Sequence, residues 1–302
     1  MEEMTTGLCP KCGHTLQIPA ELERFSCMYC GERLTKRQLL TQPEEASCSE
    51  EDCAVSFDHA VSRLGWCVQN FRGYQKKILR DAFFEAFETY ETGCAPVIQE
   101  LNSGVRPERQ TELLDRAAEA MLDELSAGWE KKNDMEDEKV VLAIFFVPMV
   151  RKLQLPVSEE FVSLLQKKWV ERYPKSPFYL GDYESISGGF RKKFLGLCFI
   201  TTAVCQELGK PDDCEELTAF RAFRDGYLRQ QPDGEALIRE YYNIAPGIVT
   251  CINTCSDRHA SYERIREQYL TPCYEDLLAG RNADCKTRYV QMVRDLEREY
   301  LS

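Results

Sequence analysis

The sequence predicts a mainly α-helical protein: a small N-terminal β zinc ribbon followed by an α-helical body of antiparallel helix hairpins. Three observations predict this class. Two Cys-x2-Cys pairs lie within residues 9–30, apolar residues recur at helical spacing from Asp58 onward, and the periodic segments are separated by short breaks rich in Gly, Pro and Asn. The expected organisation is a ribbon over 1–40, an acidic linker over 41–56, a helical domain over 57–176 and a second helical domain over 177–302.

Cys9, Cys12, Cys27 and Cys30 are the candidate metal ligands. Each pair is followed by a glycine, Gly13 or Gly31, as a tight knuckle needs when backbone amides fold round thiolates. Four soft donors at this spacing point to one tetrahedral Zn2+. Leu16, Ile18 and Phe25 are the apolar residues a ribbon would pack beneath it. With four thiolates bound, no position is left at which water could be activated, so the zinc is expected to be structural. A pair of redox dithiols is the rival reading, but no βαβ pattern surrounds it. His14 reads as an exposed turn histidine. Arg33, Lys36 and Arg37 read as a solvated helix face leaving the module rather than as a nucleic-acid contact. Residues 41–53 are acidic and without apolar periodicity, and Cys48 and Cys53 read as surface thiols.

Helices are expected over Val61–Phe71, Lys76–Tyr90, Arg109–Trp129, Lys139–Leu153 and Ser158–Val170, with breaks at Gly93, at Gly104 with Pro107, at Asn133 and at Pro156. Leu114, Ala117, Met121, Leu125 and Trp129 mark the clearest apolar face. Residues 173–190 break the period, and the aromatics there are read as a loop tucked onto its domain.

The apolar run Phe194–Cys205 is too short to cross a bilayer, which takes ~20 residues, and reads as a buried helix closed by Gly209 and Pro211. Its wheel sets Leu197, Phe199, Ile200, Ala203 and Val204 against a seam of small groups, Cys198, Thr201, Thr202 and Cys205. The next helix is expected to start at Asp212 or Asp213, with Glu215 and Glu216 completing a capping box. Its stripe is Leu217, Phe220, Phe223, Tyr227 and Leu228, and Arg224 falls in the middle of it. A buried guanidinium there must find a carboxylate, carbonyls or an anion. Pro246 is expected to open a further helix, Gly247–Asn253. The tail reads as a short helix from Tyr274, a turn at Gly280 and a long helix to Tyr300.

The string Cys198-Phe-Ile-Thr-Thr-Ala, then Phe223-Arg224-Asp225, Tyr241-Tyr242 and Ala245-Pro246, resembles the CFI-box C-terminal domain of bacterial proteins over Cys198 to Ile252. The resemblance implies a bacterial source and a C-terminal domain boundary, and it implies no catalytic residue. Some relatives continue into a hydrophobic tail, whereas here the residues after Ile252 are charged.

The formal net charge of -12, from 50 acidic and 38 basic residues, argues against a protein devoted to nucleic acid. The N-terminus lacks the basic start and apolar core of a signal peptide, and 15 cysteines, an odd number, point to a reducing cytoplasm without structural disulfides. No glycine-rich phosphate loop, HExxH helix or GxSxG elbow occurs. The expected function is therefore a cytoplasmic protein-binding adaptor with a protein partner. The alternative is a cysteine-dependent enzyme or redox sensor centred on Cys198, Cys214 and Arg224. A second metal site among Cys198, Cys205, Cys214, Cys251 and Cys255 has no recognised knuckle spacing to support it.

Overall fold

The computed structural model describes residues 4–9, 15–29, 31–40, 49–131, 133–191 and 198–302. Two compact units divide the chain, Met1–Ala54 and Val55–Ser302. The expected class holds: four short strands precede a body that is helical almost throughout.

In the first unit, β1 (Met4–Leu8) pairs antiparallel with β2 (Thr15–Pro19), and β3 (Arg24–Ser26) with β4 (Arg33–Thr35), in two separate hairpins. Helix α1 (Lys36–Leu40) follows directly. Alternation along β2 turns Leu16 and Ile18 inward, where they meet Leu34 of β4 and Leu39 of α1. Leu39 lies so close to Gly7 that a β-carbon there would come within 2.3 Å of the Leu39 carbonyl oxygen, which explains a glycine inside β1. The helix after the ribbon is thus part of its core: Leu39 is buried and Lys36, expected on a solvated face, is partly buried with its ammonium on the Ala20 carbonyl, while Gln38 is exposed.

The acidic linker is corrected by the structure. Residues 41–48 lie outside the described residues, but α2 begins at Glu50 and runs to Leu64. Ser49 accepts from the Asp52 amide at 3.1 Å and donates to its carboxylate at 2.7 Å. Glu50, Glu51 and Asp52 then occupy the first turn, where negative charge is favoured by the helix dipole. The described end of the run read as a linker, from Ser49 to Asp52, is therefore a helix start. Cys53, expected at the surface, is buried.

The second unit contains α3 (Trp66–Gln69), α4 (Phe83–Gly104), α5 (Gln110–Ala127), α6 (Asp134–Val141), α7 (Val147–Lys152), α8 (Ser158–Arg172), α9 (Tyr183–Arg191), α10 (Phe199–Glu207), α11 (Glu215–Ala222), α12 (Gly234–Cys255), α13 (Arg258–Ile265), α14 (Thr271–Leu278) and α15 (Asn282–Tyr300). Three π-helical turns, Leu142–Phe146, Phe223–Tyr227 and Arg266–Leu270, join α6 to α7, extend α11 and join α13 to α14. The breaks near Gly104 and Pro107, Asn133 and Pro156 stand where expected. Those at Gly93 and Pro246 do not, because α4 and α12 run straight through them. Phe83, Phe87, Tyr90, Cys94, Ile98 and Leu101 are all buried on α4. Burial on that scale outweighs a helix-interior proline's cost of ~3 kcal/mol.

Residues 173–190 are likewise more regular than expected. Asp182 caps α9 through the Ser185 amide at 2.8 Å, and Phe190 stacks on Phe83 with centroids 4.3 Å apart. Phe178 is fully buried, so the segment is tucked onto its domain as read, although Tyr179 stays exposed.

One hydrophobic core extends from Phe57 to Leu301, across the boundary expected between 176 and 177. A close contact links its halves: a β-carbon at Gly247 of α12 would meet the Ile78 carbonyl oxygen at 1.9 Å. Nearby, the Asn243 carbonyl accepts from the Arg80 amide at 3.0 Å and its side chain from the Asp81 amide at 3.0 Å.

Candidate functional site

Two constellations answer to the sequence: the ribbon cysteines, and the residues around Cys198 and Arg224. Along the chain, residues 9–14 connect β1 to β2 and residues 27–32 connect β3 to β4, so each cysteine pair belongs to one hairpin connection. At the second turn the Cys27 amide donates to the Glu32 carbonyl at 2.8 Å and the Gly31 amide to the Cys27 carbonyl at 2.9 Å, with Gly31 at φ 73°. That left-handed position is the one the glycine was read to supply. Cys9 and Cys27, from different hairpins, are buried in the same small core as Leu16, Ile18 and Leu34. Cys12, Cys30 and His14 lie outside the described residues. The donor chemistry and the turn around Cys27 fit a tetrahedral zinc held by Cys9, Cys12, Cys27 and Cys30.

The second constellation surrounds the start of α10. Residues 192–197 lie outside the described residues, so the expected helix is described from Phe199, with Cys198 as its N-cap. At the other end it closes as predicted: Gly209 has φ 68°, its amide donates to the Gln206 carbonyl, and the Lys210 amide donates to that of Cys205. Of the small-residue seam, Cys198, Thr201 and Cys205 are buried, while Thr202 is partly exposed.

The capping box expected at Asp212 or Asp213 does not form. Cys214 is the N-cap of α11, and Asp212 instead accepts from Arg221, through its carboxylate at 2.8 Å and its carbonyl at 2.7 Å. Leu217, Phe220, Phe223 and Leu228 are buried as a stripe, and Arg224 is buried with them, 7% exposed. Its Nε and Nη2 donate to Asp225 at 2.8 and 2.6 Å, and its Nη1 reaches Tyr242 Oη at 3.2 Å and Cys198 Sγ at 3.7 Å. Beside it, Tyr241 Oη accepts the Ile200 amide at 2.9 Å, capping α10, and Tyr289 Oη lies 3.2 Å from Thr201 Oγ1.

Burial pushes the Cys198 thiol up despite the neighbouring Arg224 guanidinium, which disfavours its thiolate form. Burial likewise holds the Tyr241 and Tyr289 phenols above their ordinary value, keeping both protonated. The apolar cavity among Cys198, Phe220, Arg224, Tyr241 and Tyr289 has about 60 Å³, room for water but far below a small-molecule site of ~300 Å³. A wider cleft of about 630 Å³ opens between α9, α10 and α12. Its Glu207 and Arg258 are paired with each other at 2.8 Å.

No family model, no curated protein and no solved structure matches this chain.

Sequence reasoning missed one grouping and one member of another. Glu138, fully buried, receives Trp129 Nε1 at 2.7 Å and Arg72 Nε at 2.7 Å; nothing in the local sequence marks three residues from separate segments as partners. The other adds Glu216 to Cys205 and Cys214, two of the cysteines weighed for a second metal site; the three ligand atoms lie within 4.8 Å of one another. The Gly209–Pro211 reversal was the available signal, because a chain that turns back at once returns residue 214 to the end of α10.

Proposed function

We propose that this chain is a protein-binding adaptor of the bacterial cytoplasm, with a zinc-ribbon head on a helical scaffold. The observation that carries this reading is the second knuckle. Met28 and Tyr29, between Cys27 and the following turn glycine, are 76% and 58% exposed. Met4 and Leu22 are exposed in the same unit. A module whose own core rests on Leu16, Ile18, Leu34 and Leu39 nonetheless turns large apolar side chains outward. Methionine and tyrosine are residue types favoured at protein interfaces, and a rigid turn presents them with little ordering cost. One zinc on Cys9, Cys12, Cys27 and Cys30 supplies the rigidity and no reaction chemistry, since thiolates fill its coordination.

The residues resembling the CFI box support the scaffold role. Cys198, Arg224, Tyr241 and Tyr242 bond to one another or to backbone, and the cavity that Cys198, Arg224 and Tyr241 line has room only for water, so they join helices rather than surround a substrate. Affinity purification with the wild-type chain and with Met28→Ser/Tyr29→Ser tests the reading. A protein retained by the first and lost from the second, with zinc content equal in both, supports it. Identical retention by both overturns it.

A further inference from the structure

We infer that Cys205, Cys214 and Glu216 form a second metal site, one that takes a soft divalent cation of the zinc class and clips α10 to α11. The Cys205 and Cys214 sulfurs are 3.8 Å apart. A tetrahedral ion with zinc–sulfur bonds of ~2.3 Å sets its two sulfurs ~3.8 Å apart, whereas a disulfide would require ~2.05 Å. The thiol pair is therefore at metal-bridged separation, and a Glu216 carboxylate oxygen lies within 4.8 Å of both sulfurs. Two thiolates and one carboxylate suit zinc by donor type, with water as the fourth ligand.

The backbone holds this arrangement in place before any ion arrives. Gly209 reverses the chain, the Lys210 amide returns to the Cys205 carbonyl at 2.9 Å, and the Cys214 amide donates to the Pro211 carbonyl at 3.1 Å. Cys214 is the N-cap of α11, and Glu216 stands in the first turn of the same helix. Cys214 and Glu216 are partly exposed, which gives an ion access, while Cys205 is buried behind them. Lys210 Nζ sits 2.5 Å from Glu216 Oε2, so a positive charge already neutralises the carboxylate. Binding would take over that role: the cation gains the carboxylate oxygen, Lys210 turns to solvent, and the two thiol protons pass to water. The pair also departs from the ribbon in kind, since its donors come from a helix end and the following N-cap rather than from hairpin knuckles.

Cobalt titration of the reduced, metal-free full-length chain tests this. The wild type is expected to take two Co2+ per chain, one in the ribbon and one here. Cys214→Ser should take one and lose about one third of the thiolate-to-cobalt absorption, two of six thiolates. Cys27→Ser should instead lose the ribbon ion and keep this one, which separates failure of the ribbon from failure of this site. Glu216→Gln, a change that preserves shape, should weaken the second ion roughly tenfold. Equal stoichiometry and spectra in wild type and Cys214→Ser would leave a thiol–thiol hydrogen bond and overturn the inference. An unchanged affinity in Glu216→Gln would overturn the three-ligand site.

Discussion

Arg224 holds the carboxylate of its own chain neighbour, Asp225, in two hydrogen bonds of 2.8 and 2.6 Å. Consecutive side chains on an α-helix diverge by about 100° and do not face each other. Here the pair lies in the π-helical turn Phe223–Tyr227, whose wider backbone departs from that spacing. The guanidinium can then keep one edge on Asp225 and turn the other inward to Cys198 and Tyr242, tying α10, the π turn and α12 together.

Truncation of this arginine should cost more than truncation of its neighbour. Arg224→Ala is expected to destabilise the chain by about 2–3 kcal/mol in denaturant unfolding, below the ~3–5 of a fully buried pair, because Asp225 is half exposed and regains water. Arg221 pairs with the exposed Asp212, so Arg221→Ala should cost ~1 kcal/mol or less. Equal costs would remove Arg224 as the device that sets helix register.

Metal removal should unfold the ribbon alone. All three tryptophans, Trp66, Trp129 and Trp169, belong to the helical unit. A strong chelator, or Cys27→Ser, should therefore strip the ribbon zinc and abolish the amide protection of β1–β4, while tryptophan emission and helical circular dichroism stay unchanged. Loss of the helical signal would show that the two units do not fold independently.

Alkylation should leave Cys198 unlabelled. Its sulfur is buried against Arg224 and its thiol is pushed up by that burial. In metal-free protein, whose helical unit stays folded, under a mild iodoacetamide pulse, Cys214 should react well before Cys198, since Cys214 is partly exposed. Rapid, selective modification of Cys198 would revive thiol chemistry at this position.

The pH dependence of stability should carry the mark of Asp276. Arg281 and Arg288 grip opposite oxygens of its carboxylate, at 2.7 and 3.0 Å, and hold its pKa below the ordinary 3.8. A depressed folded-state pKa adds stability that is present above the unfolded value and is lost as pH falls through the folded one. Asp276→Asn should thus be less stable than wild type at pH 6, with the gap narrowing below pH ~4. A gap independent of pH would assign the cost to packing between α14 and α15 alone.

The sequence by itself determined the helical class, the place of the ribbon, the tight turns at Gly31, Gly209 and Gly280, and the burial of Arg224. All of these follow from local chemistry: a glycine supplies a conformation other residues avoid, and a periodic apolar stripe must face inward with whatever it contains. Tertiary structure decided the rest. Whether Gly93 and Pro246 break a helix depends on how much the rest of that helix buries, and α4 and α12 bury enough to continue. The boundary read near residue 176 dissolved because Gly247 packs on Ile78, a contact between segments no local pattern connects. Cys205, Cys214 and Glu216 became neighbours for a similar reason: the closeness of two thiols is a property of the reversed chain, and spacing along the sequence does not state it.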